Sequence, residues 1–172
     1  MSIMNTQTLA DSYELYRQTH EQKPKYFGGH SLREYVFDIG SLIQRTNIKT
    51  LIDYGCGKAG VWNEWDLKHL WQLDEVVLWD PGVEKYITKP TEPRDLVICI
   101  DVLEHVPEHL VDEVLADMCS LANKAIFCNV STRPASKHLI DGSNAHATVQ
   151  PAKWWQAKFD ALDKLVIAHF TT

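Results

Sequence analysis

The stretch Thr50-Leu-Ile-Asp-Tyr-Gly-Cys-Gly-Lys-Ala-Gly60 decides the reading of this 172-residue chain. A short apolar run ends in an acid, Asp53, and the chain then turns through Gly55, Gly57 and Gly60. Short apolar runs of this kind are buried strands of parallel sheets, and glycine lets a backbone turn sharply or approach a ligand closely. A carboxylate just beyond the strand can accept hydrogen bonds from a cationic or hydroxylated ligand. A strand-to-helix glycine turn by itself also suits a dinucleotide, so the residues downstream have to separate the candidates.

Glu75-Val-Val-Leu-Trp-Asp80 is a second apolar run closed by an acid, placed where a carboxylate suits a ribose diol. A third, Asp95-Leu-Val-Ile-Cys-Ile-Asp101, leads into Val102-Leu-Glu-His-Val106. Ala125 to Val130 and Asp163 to Phe170 read as two further strands. Between them lie helical patterns. Leu32, Val36, Ile39, Leu42 and Ile43 follow the capping-box sequence Ser31-Leu-Arg-Glu34. Val61 to Leu73 is tryptophan-rich, and Leu110, Val114, Leu115, Met118 and Leu121 follow Pro107. This alternation predicts an α/β fold, a mostly parallel sheet with helices on both faces. In such sheets ligands bind beyond the carboxyl ends of the strands, so Asp53, Asp80 and Asp101 are expected to face one crevice.

The set Asp-x-Gly-x-Gly, Trp-Asp-Pro and Asp-Leu-Val-Ile-Cys-Ile-Asp-Val-Leu-Glu-His-Val, from about Thr50 to Pro107, resembles class I S-adenosylmethionine (SAM)-dependent methyltransferases. The resemblance implies a Rossmann-like fold and a cofactor seat. Gly55 and Gly57 would lie against the methionine part of SAM, Asp53 would hold its ammonium group, and Asp80 would bind the ribose hydroxyls. Asp101 and Val102, with Trp79, would flank the adenosine. Ala59 stands where the family has its third glycine. Against the family pattern the sheet is abbreviated between its second and fourth strands, where Pro81-Gly82 and Pro90 to Pro93 break regular structure, and again at the C-terminus. Residues 1–30, carrying Tyr13, Tyr16, Tyr26 and Phe27 before Gly28-Gly29, are expected to form a cap or lid on a transferase domain of residues 31–172. Aromatic packing against the domain is the alternative.

Methyl transfer from a sulfonium needs alignment of acceptor, methyl and sulfur, and sometimes removal of a proton. Glu104, His105 and the distant His146 are the candidates for that chemistry. Asp101-x-x-Glu104-His105 with His146 also resembles the metal sites of small-RNA terminal 2′-O-methyltransferases, which would add a divalent metal ion. Arg133, Lys137, His138 and Lys153 offer either a basic rim for an anionic acceptor or a solvated loop face. The remaining histidines, His20 among them, show no arrangement that selects them. The expected activity is SAM-dependent methylation of a small-molecule acceptor, at oxygen. The alternatives are a metal-assisted enzyme acting on RNA and a non-catalytic module that binds SAM or a partner, which leaves oligomerisation open.

A formal net charge of −6, from 17 basic and 23 acidic side chains, argues against a general electrostatic grip on nucleic acid. No signal peptide and no membrane-spanning apolar run is read, so a cytoplasmic protein is expected. Cys56, Cys99, Cys119 and Cys128 form no Cys-x-x-Cys pair and are expected to be free thiols, Cys99 and Cys128 acting as small hydrophobes.

Overall fold

Five strands, β1 (Thr50–Tyr54), β2 (Glu75–Trp79), β3 (Arg94–Ile100), β4 (Ala122–Ser131) and β5 (Leu165–Thr171), form one sheet in the order β2-β1-β3-β4-β5. Every neighbouring pair is parallel. The computed structural model describes residues 7–172, so the expected fraying of the first few residues lies outside the described part. Helices α1 (Leu9–Gln22), α2 (Val36–Thr46), α3 (Gly60–Glu64), α4 (Leu67–Leu70), α5 (Val111–Leu121) and α6 (Ala152–Asp160) complete it. Among the described residues no helix is long and apolar enough to cross a membrane.

The two faces follow from the period-2 alternation of strand side chains. Ile52 and Tyr54 of β1, with Val97 and Cys99 of β3, pack against Val114, Leu115 and Met118 of α5 and against Trp155 and Phe159 of α6. Leu51, Leu96, Ile98 and Phe127 face the other way, onto Val36, Ile39 and Ile43 of α2 and onto Val61 and Trp71. Cys99 and Cys128 sit opposite one another in register, fully buried, and all four cysteines are free. The expected α/β sheet with helices on both faces is present, all-parallel rather than mostly parallel.

Among the described residues no strand lies between β2 and β3. The proline-rich connection makes only a 3-10 turn, Glu84–Tyr86. The chain leaves β1 in one direction to β2 and later crosses back to β3 on β1's other side. The carboxyl ends of β1 and β3 are therefore a topological switch point, where open α/β sheets hold ligands.

Three local expectations are corrected. Ser31 caps nothing: Ser31–Tyr35 is a 3-10 turn whose cap residue, His30, makes no side-chain cap bond. The capping box belongs to α1, where Thr8 Oγ1 accepts from Asp11 N–H and Asp11 Oδ2 accepts from Thr8 N–H. The run Val61 to Leu73 is not one helix. It breaks at Trp65, which is extended, and restarts when Asp66 caps α4 by accepting from His69 N–H. An aspartate that bonds nearby backbone favours such a break. Pro107 opens a 3-10 turn, Glu108–Leu110, rather than α5 itself.

Candidate functional site

A cavity of about 1130 Å³ opens at the carboxyl ends of β1, β2 and β3. Asp53, Asp80 and Asp101 all line it, as do Gly55, Gly57, Val102, Glu104, His105 and His146. Its volume slightly exceeds the range typical of one small ligand.

The glycine turn forms the floor, and its amides are all used. Gly55 and Cys56 N–H donate to Trp79 O, and Ala59 N–H to Cys56 O. Gly57 N–H donates to Asp80 Oδ2 at 2.7 Å. Lys58, Gly60 and Val61 N–H donate to the carbonyls of Phe27, Gly28 and Gly29 respectively. The upstream segment thus lies as a strap across the turn. Gly29 sits at φ +72, and a Cβ there would collide with Cys56 O; a Cβ on Gly57 would stand 2.5 Å from Phe27 O. The close approach these glycines permit is made by the protein's own strap, and Val102 presses likewise on Gly55. Ala59, at the place of a third glycine, takes the left-handed conformation (φ 54, ψ 42) that glycine adopts without cost.

Asp53 is buried, and Trp62 Nε1–H donates to its Oδ2 at 2.6 Å. Burial pushes its carboxyl up to about 7 against that hydrogen bond, and the nearby Asp80 adds to the rise. Asp80 accepts from Gly57 N–H through Oδ2 and from Gly82 N–H through Oδ1, at 2.7 and 2.8 Å. Each carboxylate oxygen has two acceptor sites, so both keep one for a ligand. Burial raises this carboxyl too, with the two amides opposing it. Asp101 holds a left-handed backbone (φ 55), the strained geometry that recurs at functional sites. Asn129 fixes it by donating its side-chain amide to Asp101 Oδ1.

Beyond Asp101, Glu104 is fully buried, with Oε1 accepting from Ser131 N–H at 2.8 Å. Its Oε2 has no partner among the described residues. Burial, reinforced by Asp101, pushes this carboxyl up to about 8, so Glu104 is neutral at pH 7. His105 Nδ1 lies 2.7 Å from Ala145 O, and His146 Nδ1 lies 2.6 Å from Arg133 O. A carbonyl can only accept, so each Nδ1 carries the proton and each Nε2 keeps its lone pair. The two rings stand 4.9 Å apart. Burial holds His105 down to about 4, and the field of Lys137 adds to it, against the hydrogen bond that the ring donates to Ala145 O.

Among the described residues no group of three or more His, Cys, Asp or Glu is placed to hold a metal ion. Asp101, Glu104, His105 and His146, the candidate ligands of the metal-assisted alternative, share the cavity without being gathered into such a group. Asn129 takes an oxygen of Asp101 and Ser131 one of Glu104, while carbonyls hold the Nδ1 atoms of both histidines.

Several residues of the site come from the N-terminal segment, where the sequence marks Tyr16 and Phe27 for a cap without assigning them partners. Tyr16 reaches from α1, donates to Ala145 O at 2.6 Å and lies 3.0 Å from His105 Nδ1. Phe27 packs against Tyr16, His20, Tyr26 and His105. His20, passed over in the sequence, lines the cavity, is buried, and its Nδ1 has no partner. Of the expected basic rim, Arg133 and Lys137 line the cavity and His138 and Lys153 do not. Cys56 is buried in the turn, and burial raises its thiol well above the ordinary value, which suits packing rather than reactivity. The chain matches no family model, no curated protein and no solved structure.

Proposed function

We propose that this chain is a SAM-dependent methyltransferase of Rossmann-like fold that methylates a small-molecule acceptor at oxygen. The observation that carries the reading is the accounting of the glycine turn. Every amide from Gly55 to Val61 has an internal acceptor, so the turn has no free N–H to cradle a diphosphate as dinucleotide-binding turns do. Carboxylates remain instead, at the ends of three strands. A cofactor without phosphate that offers an ammonium group and a ribose diol fits those groups. Asp53 would take the ammonium, its burial relieved by the opposite charge. The second acceptor sites of Asp80 would take the diol, and Asp101 and Val102 would flank the adenosine.

SAM supplies a methyl group on a sulfonium, which leaves as a neutral thioether when the acceptor oxygen forms its bond to carbon. The protein holds the acceptor and receives its proton. His146 is assigned as proton acceptor at Nε2: its ring is only partly covered, so the proton can pass on to water. His105, held neutral, accepts a hydrogen bond from the acceptor hydroxyl and orients it. Glu104, neutral and buried, can release its proton when a cation enters.

The test is calorimetric titration of the chain with SAM and with S-adenosylhomocysteine (SAH) in the presence of EDTA. Binding of both, with affinity lowered at least tenfold in Asp53→Asn, is the expected result. Binding of NADH or NADPH but of neither SAM nor SAH would overturn the assignment.

A further inference from the structure

We propose that the acceptor carries an anionic group, a carboxylate or a phosphate, seated at the cavity mouth by Lys137 and Arg133. The inference rests on the methyltransferase reading and deepens it. The cavity is polarised. Apart from Lys58, which lies in the glycine turn and donates to Pro24 O, the lining buries Asp53, Asp80 and Glu104 beside a half-buried Asp101, and leaves Lys25 and Arg133 exposed and Lys137 half-buried. Among the described residues none of these three cations has a carboxylate within ion-pair reach, although acids outnumber bases in the chain.

The cations are also gathered. Lys137 Nζ lies 5.3 Å from the Tyr26 ring centre and 5.4 Å from that of Phe27, and Lys23 Nζ lies 5.1 Å from the same Tyr26 ring. Lys23 is tied there, donating to His138 O at 2.6 Å. Two ammonium groups around one tyrosine repel each other. The loop of residues 132–150 has a single acid, Asp141, and its Oδ1 is occupied by Ser143 N–H and Oγ–H. An anion supplied from outside would relieve that repulsion.

The position matches the chemistry. Arg133 O holds His146 Nδ1, so the guanidinium and the proton acceptor are parts of one loop. Lys137 is close enough to His105 to lower its basicity, and its ammonium lies over Phe27, which packs on His105. An anion gripped here would place the rest of the acceptor against the two Nε2 atoms. The cofactor, with a net positive charge, belongs at the acidic floor. The two ends of the cavity thus sort the two ligands by sign.

The test uses the full chain, saturated with SAH, and measures binding of phenyl phosphate, benzoate and uncharged benzyl alcohol by saturation-transfer NMR in wild type, Lys137→Gln and Arg133→Gln. At least one anion is expected to bind tenfold or more tightly than benzyl alcohol, and to lose most of that margin in each variant. The affinity for SAH should stay within twofold. Which anion binds distinguishes a phosphorylated from a carboxylated acceptor. Equal anion binding in wild type and both variants would overturn the proposal. So would a tenfold loss of SAH affinity in the variants, because the cations would then be holding the cofactor's own carboxylate. If SAH binds nowhere while the anion margin is present and lost as expected, the anion seat stands and the methyltransferase reading falls.

Discussion

Asp80 shows how one side chain can serve the fold and a ligand together. Its position at the tip of β2 was legible in the sequence, because an acid closing an apolar run projects beyond the sheet. Its grip on Gly57 and Gly82 was not, since those bonds depend on where the turn after β1 settles. A test of the ribose contact by simple truncation is therefore compromised. Asp80→Ala should cost on the order of 2–4 kcal/mol of stability, because two buried amides lose their acceptor, together with at least a tenfold loss in SAH affinity. Chemical denaturation and calorimetry on the same variant check both parts. An unchanged unfolding midpoint would show that the carboxylate does not hold the turn. The partner of Tyr16, read in the sequence only as part of a cap, escaped for the same reason, since its bond to Ala145 spans more than a hundred residues.

At the scale of elements, the strands and their order of acids were readable, whereas the ends of helices were not. The Ser31 sequence has the pattern of a capping box, but the entry to α2 is set by a strap that bonds thirty residues downstream. Tertiary contacts outweighed the local preference. The strap itself is the element most open to test. Gly29→Ala forces a side chain into a left-handed backbone and against Cys56 O, at a cost of about 1–2 kcal/mol from the backbone alone. The strap should then detach more often. Its accessible tryptic bond is Lys25–Tyr26, since Pro24 protects the bond after Lys23. Cleavage after Lys25 under native conditions should accelerate several-fold in the variant, read by mass spectrometry of timed digests. An unchanged rate would mean that the carbonyls of Phe27 to Gly29 contribute little to holding the strap down.

For the whole molecule, the buried ionisable groups set an unusual dependence of stability on pH. Asp53 and Glu104 keep their protons up to about 7 and 8 in the fold, against ordinary values of 3.8 and 4.5. The folded state binds more protons than the unfolded one in that window, so their contribution falls as pH rises. Burial holds His20 and His105 down to about 4, against an ordinary 6.5, so their contribution rises with pH between those values. The two pairs oppose each other up to about pH 6.5, beyond which only the carboxyls still change. Melting temperature should be nearly flat from about pH 5 to 6.5 and decline towards pH 8, with Glu104→Gln removing the upper part of the decline. A rise over that range would contradict the assignment. The sheet carries a further consequence. With every neighbour parallel, no two adjacent strands can meet through a hairpin; each contact waits for a crossover and the closure of a long loop, which favours slow folding. β4 shares this delay, for it has no partner on one side until Leu165 to Thr171 has been synthesised. During translation its apolar edge stands open to other chains, so crowding on the polysome is when this protein is most at risk.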